Sequence, residues 1–379
     1  MHTSRAGQRN PGPPTFVWPA CRQRSAVNIN RHTMSSTLTA IVLQGGGALG
    51  AYEFGALKAF FERPGFRPSV ITGVSIGALS AAVLVGAKDD PIETLDRLWE
   101  RFSVSALPAV PGMEAWLAFF GADSLLRVDR TFAFSPLLAT SMLDIEPLRQ
   151  WLSNAIDFEK LNASDVRVIV TAVNAANGMY EEFDNTRGLT LDHIIASASL
   201  PPIFPMTNID GSPYWDGGLI SNTPLRCAIN ALETMEPNAS HVRRELIAMD
   251  CHHIAPSTPR TLSDVIGRLL QIYFFGKLRL DLKLFEQFNT YLDLIEHLDD
   301  ELPAKSPLRS HPAYRKLMAH RKVDRLILVK GEDQESIGAA TDFSRTSTRA
   351  RIERGYRDAL RAMGVAAKPE DRSERRRNS

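Results

Sequence analysis

Two short apolar runs near the start of the chain are each followed by glycines and then by helically spaced apolar residues. Leu38–Leu43 reads as a buried strand from its apolar continuity, and Ala48–Glu62 follows with helical periodicity. Val70–Thr72 reads as the next strand and Ile76–Gly86 as the next helix. Strand and helix alternating at such short range predict parallel pairing with right-handed crossovers. The pattern predicts further strands at Val166–Val173, Tyr180–Phe183, Leu246–Asp250 and Leu326–Lys330. It predicts helices at Leu191–Ser199, Thr223–Met235 and Arg345–Met363. The chain shows no internal repeat and no clear domain-splitting linker. One α/β domain with helical insertions is the expectation.

Two stretches depart from that alternation. Ser103 to Leu143 holds prolines together with Trp116, Phe119, Phe120, Leu125 and Leu126, and lacks strand alternation. It reads either as an apolar lid over a lipid-binding cleft or as a helical cap that completes the core, and core is the commoner fate of apolar clusters. Leu262 to Leu298 reads as one long helical stretch. Leu280, Leu284, Phe288, Tyr291, Ile295 and Leu298 recur at three- and four-residue steps and give it a single apolar face. Just before them, Tyr273 to Arg279 mixes aromatics with cations in the manner of interfacial helices. Asp281 and Glu286 dilute that charge, so packing of the apolar face against the body is expected, with membrane contact as the alternative.

The chemistry lies where strands run into glycines. Gly73-Val74-Ser75-Ile76-Gly77 sits between a strand and a helix. A serine hydroxyl needs presentation free of its neighbours and a base beside it, and a sharp strand-to-helix turn supplies the presentation. The alternative is a turn whose serine merely caps the helix. Gly45-Gly46-Gly47 offers backbone N–H groups at a helix start, suited to an oxyanion. Gly45, Gly47 and Gly50 also fit the dinucleotide fingerprint, but that fold needs an acid at the end of the second strand. Here that strand runs directly into the serine turn, and the nearby Glu62 falls before it. Asp216-Gly217-Gly218 places an acid in a tight turn before a helix. On its own it would read as an ordinary turn aspartate.

These three elements, in this order, resemble the patatin-like phospholipase family. In that family a glycine-rich turn, a Gly-x-Ser-x-Gly elbow and an Asp-Gly-Gly turn form an oxyanion hole and a Ser–Asp dyad. Here the matching stretches are Gly45–Gly50, Gly73–Gly77 and Asp216–Gly218, and Ala196–Pro205 resembles the segment preceding the family's aspartate. The resemblance covers roughly Leu38 to Asp250. Beyond it the chain resembles a bacterial branch with its own C-terminal extension, in which Asp342–Arg345 and Gly355–Asp358 look like branch features without a chemical role. The family's cation in the first turn is Leu49 here, which removes charge assistance and leaves the backbone donors.

The resemblance implies a three-layer α/β/α sandwich with a mostly parallel central sheet, a helical insertion and a helical C-terminal extension. It implies a lipid acyl hydrolase of phospholipase A or esterase type, with Ser75 as nucleophile, Asp216 as base and Gly45, Gly46 and Gly47 as the oxyanion hole. Gly50, Gly73, Gly77, Gly217 and Gly218 support the turns. An aspartate at its ordinary pKa of about 3.9 is a weak base, so a desolvated, raised Asp216 beside Ser75 is expected. Two rivals stay open. His252 and His253 after a strand end could complete a conventional triad, and the missing cation fits a catalytically weak member that binds lipid or a protein partner.

Composition narrows the setting. Of 379 residues, 44% are apolar and 23% charged, with a net charge of +1, which gives no global field for nucleic acid or an anionic membrane. Cys21, Cys227 and Cys251 lie far apart without metal or redox spacing, as in a reducing compartment. The expected organisation is a basic disordered segment over 1–34, a catalytic domain over 35–255 with an insertion at about 103–143, a helical extension over 256–366 and a charged tail over 367–379. The first segment has five arginines and no acid; it lacks a signal peptide's apolar core, and Met34 is a plausible true start. No apolar run approaches the ~20 residues needed to span a bilayer. The chemistry calls for no cofactor or metal. A cytoplasmic location is expected, with a lipid substrate, peripheral membrane contact as an option, no nucleic acid, and the oligomeric state left open.

Overall fold

The computed structural model describes residues 37–103, 125–235, 242–251, 258–331 and 339–365. The predicted N-terminal segment, Trp116, Phe119, Phe120, His252, His253 and the C-terminal tail lie outside the described residues. In chain order the elements are β1 (Thr37–Leu43), α1 (Gly50–Phe61), β2 (Val70–Gly73), α2 (Ile76–Gly86), α3 (Pro91–Phe102), β3 (Arg127–Val128), α4 (Arg130–Phe134), β4 (Leu143–Asp144), α5 (Glu146–Ala155), α6 (Phe158–Asn162), β5 (Arg167–Asn174) and β6 (Tyr180–Asp184). They continue as α7 (Leu191–Ser197), β7 (Thr207–Ile209), β8 (Ser212–Asp216), α8 (Leu225–Met235), β9 (Arg243–Asp250), α9 (Leu262–Phe275), α10 (Lys277–Glu301), α11 (Pro312–Met318), β10 (Arg325–Lys330) and α12 (Arg345–Ala362).

Strands β10, β9, β1, β2 and β5 pair in parallel in that order, so the fold is α/β with a mostly parallel central sheet. Parallel strands need both faces covered, which is why β1 is apolar without a break from Ala40 to Leu43. Ala40 and Val42 face α8 and the start of α10, where Leu225, Ala228, Leu232, Leu278 and Leu282 close one core. The alternate Ile41 and Leu43, equally buried, face the opposite side, where α2 packs. β10 extends the sheet beyond β9, so the C-terminal stretch contributes a strand as well as helices.

The sheet changes direction at β5, and this change builds the site. β2 pairs with β5 through residues 167 to 170, in parallel. β6 pairs with it antiparallel through residues 169 to 173, and β8 antiparallel through residues 172 to 174. β6 shares partners with both β2 and β8, and a strand has only two edges. β2 and β8 therefore lie on the same edge of β5 and meet end to end. β2 ends at Gly73 opposite Val170, and β8 ends at Asp216 opposite Ala172. Asp210 and Gly211, both at positive φ (49° and 84°), form the tight turn between β7 and β8.

α12 lies against α1 through facing glycines. A Cβ on Gly355 would stand 1.9 Å from the Tyr52 carbonyl oxygen, and one on Gly55 would stand 1.9 Å from that of Ile352. Tyr52 donates to Asp358 Oδ2 (3.0 Å), and Tyr356 donates to Glu62 Oε2 (2.6 Å). The Gly355–Asp358 stretch thus clamps the last helix onto the helix that follows the glycine turn.

The stretch predicted as one helix over 262–298 is two, interrupted at Gly276. Its expected packing is corrected as well. Leu280, Leu284, Phe288, Tyr291 and Leu298 are all exposed, and α10 packs on the core instead through Leu278, Leu282 and Phe285. In the 103–143 stretch, Leu125 and Leu126 are buried, whereas Phe134, Leu137 and Leu138 are exposed.

Candidate active site

The Gly45–Gly47 turn leaves the end of β1, and the serine turn leaves the end of the adjacent parallel β2. The register Leu43↔Gly73 sets them side by side. Crevices at the carboxyl ends of parallel strands are the usual ligand sites of open α/β sheets. Here the glycines are required by contact. A Cβ on Gly77 would stand 2.6 Å from the Leu43 carbonyl oxygen, and one on Gly73 would stand 2.4 Å from that of Gly77. A Cβ on Gly50 would meet Ile76 at 2.8 Å. The start of α2 therefore lies directly on the backbone of β1.

Ser75 sits at φ 57° and ψ −127°, a conformation rare for any residue with a side chain. Its N–H donates to the Ser197 carbonyl at 3.0 Å, and the Asp216 N–H donates to the Ser199 carbonyl, also at 3.0 Å. The end of α7 thus holds the backbones of both residues. Only Asp216 is sealed from water, at 1% exposure, while Ser75 stays partly open. The Asp216 carboxylate accepts the Gly218 N–H at 2.8 Å, and the Ser75 side chain beside it favours the ionised form. Burial nevertheless dominates and pushes the Asp216 pKa up to about 7, the Ser75 hydroxyl and the Gly218 N–H opposing it. Gly217 fits because a Cβ there would strike the Thr171 carbonyl oxygen at 2.5 Å.

The glycine turn reaches this pair. A Cβ on Gly45 would come within 3.1 Å of the Ser75 Cβ. Gly45 is also tied to the aspartate turn: its N–H donates to the Asn222 carbonyl (3.2 Å), and Asn222 Nδ2 donates to the Gly45 carbonyl (2.9 Å). The Gly45 N–H is thereby engaged, which separates it from Gly46 and Gly47 within the expected oxyanion set. Gly47 takes φ 54°, and the Ala340 carbonyl stands 2.5 Å from where its Cβ would be. Gly46 lies against Phe275 at the end of α9. Leu49 is fully buried, so the position of the family's cation belongs to the core.

Two residues of this arrangement escaped the motif reading. Asn222 was legible only as part of a polar run after the aspartate turn. Glu53, wholly buried one turn into α1, accepts the Gln44 N–H at 2.7 Å, and burial pushes its pKa up to about 8. Gln44 in turn donates to Thr223 Oγ1 (2.7 Å) and accepts from the Cys251 thiol (3.2 Å), linking the root of the glycine turn to two other segments. His193 is used in capping α7, where it accepts the Thr190 N–H. Among the described residues no group of three His, Cys, Asp or Glu side chains is arranged to hold a metal.

Residues 41–229 match the family description "Patatin-like phospholipase". Through these residues the chain belongs to the patatin-like phospholipase family. Two patatin-like phospholipase domain-containing proteins of Cryptococcus neoformans are 43% identical to it over 67 residues, 18% of this chain and 7% of theirs. A cGAMP-activated phospholipase of Pseudomonas aeruginosa is 27% identical over 211 residues, 52% of this chain and 57% of that protein. This patatin-like chain thus spans less than two-thirds of the length of each of these relatives. Among solved structures it has a distant likeness to VipD of Legionella pneumophila, with a TM-score of 0.37 and 13% identity over 87% of this chain and 67% of that one. ExoU of P. aeruginosa, solved with SpcU, gives a TM-score of 0.27 and 13% identity over 88% of this chain and 75% of its own.

Proposed function

We propose that this chain is a lipid acyl hydrolase that cleaves carboxylic esters through a Ser75 acyl-enzyme with Asp216 as the base. The single observation that carries the reading is a buried carboxylate, raised to about 7, beside a serine on a strained strand-to-helix turn. A base is most effective when its pKa lies near the working pH. Asp216 takes the Ser75 proton as Oγ attacks the ester carbonyl. It then gives that proton to the departing alcohol, leaving the acyl group on Ser75. In the second half it takes a proton from water, whose oxygen attacks the acyl carbonyl, and Ser75 leaves with the proton. The N–H groups of Gly46 and Gly47 stabilise the oxyanion in both halves, while Gly45 fixes the turn through Asn222.

Phospholipid is the substrate class that membership of the family favours, reached at a membrane surface to which the protein binds peripherally. Among the described residues no helix is long and apolar enough to cross a membrane. Hydrolysis of a phospholipid and of a short-chain p-nitrophenyl ester by wild type, Ser75→Ala and Asp216→Asn, with folding checked by circular dichroism, tests the reading. Activity in wild type alone supports it. A folded but inert wild type, or a folded Ser75→Ala variant that still turns over, overturns it.

A further inference from the structure

α9 is amphipathic in the opposite sense to a helix on a protein surface. Thr261 caps its start, accepting the Asp264 N–H at 3.1 Å while Asp264 accepts the Thr261 N–H at 3.0 Å. From there Leu262, Val265, Ile266, Leu269, Leu270 and Tyr273 recur at three- and four-residue steps, and every one is exposed, Leu262 at 76% and Leu269 at 64%. Among the described side chains of the helix the buried one is instead Gln271, at 4% exposure, whose amide finds no hydrogen-bond partner among the described residues. Single exposed leucines are ordinary, whereas a continuous outward stripe marks an interaction surface. α10 also exposes Leu280 and Leu284.

The stripe runs towards the proposed catalytic turns. Phe275 packs on Gly46, Tyr273 donates to the Leu219 carbonyl, and Lys277 Nζ donates to the Ile220 carbonyl at 3.1 Å. The same turn of backbone carries Asp216 only a few residues earlier. Charge follows the same direction. Between residues 260 and 285 five Lys and Arg stand against two acids, whereas residues 286 to 301 hold six acids and no Lys or Arg. Lys277 also lies 4.9 Å from the centre of the Tyr273 ring, so a cation and an aromatic share the edge of the apolar stripe. An apolar stripe bordered by cations and aromatics matches an anionic lipid surface, whose acyl region takes the side chains while its headgroups meet the cations.

We infer that α9, with the first turns of α10, is the face by which the protein inserts into an anionic lipid surface and brings the ester-cleaving turns onto it. The inference rests on the lipid-hydrolase reading for its purpose, and its test separates the two. Ser75→Ala protein is sedimented with vesicles of equal parts phosphatidylcholine and phosphatidylglycerol, with and without the further changes Ile266→Glu and Leu269→Glu. The expected result is binding that the paired glutamates weaken about tenfold or more, since each removes a buried apolar side chain from the contact. Leu298→Glu, on the acidic end, leaves binding unchanged. On the catalytically intact background the paired glutamates lower hydrolysis of vesicle phospholipid but not of a soluble short-chain ester. Undiminished vesicle binding by the folded glutamate pair overturns the inference. So does a wild-type dimer in sedimentation velocity that the same pair dissolves, because the face then belongs to a second copy. Loss of soluble-ester hydrolysis in Ser75→Ala is read separately and bears only on the hydrolase.

Discussion

The glycine turns and the α9–α10 pair handle polarity in opposite ways. Around Ser75 a carboxylate, a glutamic acid and an asparagine are buried, and the backbone groups beside them are paired at 2.7–3.2 Å. On α9 the leucines are outside and a glutamine is inside. Under the proposed mechanism the first region accepts the cost of burying polar groups because a desolvated base and fixed donors are what acyl transfer needs. The second exposes apolar surface that no described residue covers, which is sensible if a lipid surface covers it. The difference separates a part of the molecule built to hold one geometry from a part built to meet another phase.

The sharpest way to break the first half of that comparison is to remove its chemistry. Ser75→Ala and Asp216→Asn should each lower ester turnover by about a thousandfold or more with circular dichroism unchanged. Asn222→Ala should cost about 10–100-fold in kcat, since it leaves the Gly45 carbonyl without its buried donor. A wild-type rate there would mean that the tie between the two turns is incidental. Gly355→Val tests packing instead. Forcing side-chain atoms against the Tyr52 carbonyl should cost about 1–3 kcal/mol, read as a lower midpoint in urea.

pH gives the subtlest contrast. The Asp216 carboxyl must be ionised to act, so kcat/KM on a soluble ester should rise with pH through about 7 and then level. Stability runs the other way. Asp216 and Glu53 have folded pKa values above their ordinary 3.8 and 4.5, so the folded state holds the extra protons. Their contribution is complete below those ordinary values and is lost as pH rises through about 7 and about 8 respectively. Glu53→Gln should therefore flatten the upper part of the stability profile, measured by urea unfolding, while leaving the activity limb near 7 in place.

The glycine turns were legible because backbone contacts leave their glycines no substitute. Gly73 and Gly77 lie within 2.4–2.6 Å of carbonyl oxygens at the would-be Cβ, so spacing alone betrays the turn. The Asp210-Gly211 hairpin went unpredicted, because the β7–β8 pair it joins is too short to show alternation. That hairpin is what delivers Asp216 to the end of β2. Glu53 and Asn222 carried no pattern, because a single buried polar residue has no period. The long C-terminal helix taught a different lesson. Its apolar repeat was plain, but periodicity defines a stripe and not the direction it faces. Leu278, Leu282 and Phe285, more than a third of a turn from the predicted stripe, took the place in the core.

The most direct test of the central claim is active-site labelling with a fluorophosphonate followed by peptide mass spectrometry, on wild type and Asp216→Asn. The account predicts a single adduct on Ser75, formed much more slowly in the folded Asp216→Asn variant. An adduct on another residue, or Ser75 labelling at the wild-type rate without the carboxylate, would contradict it.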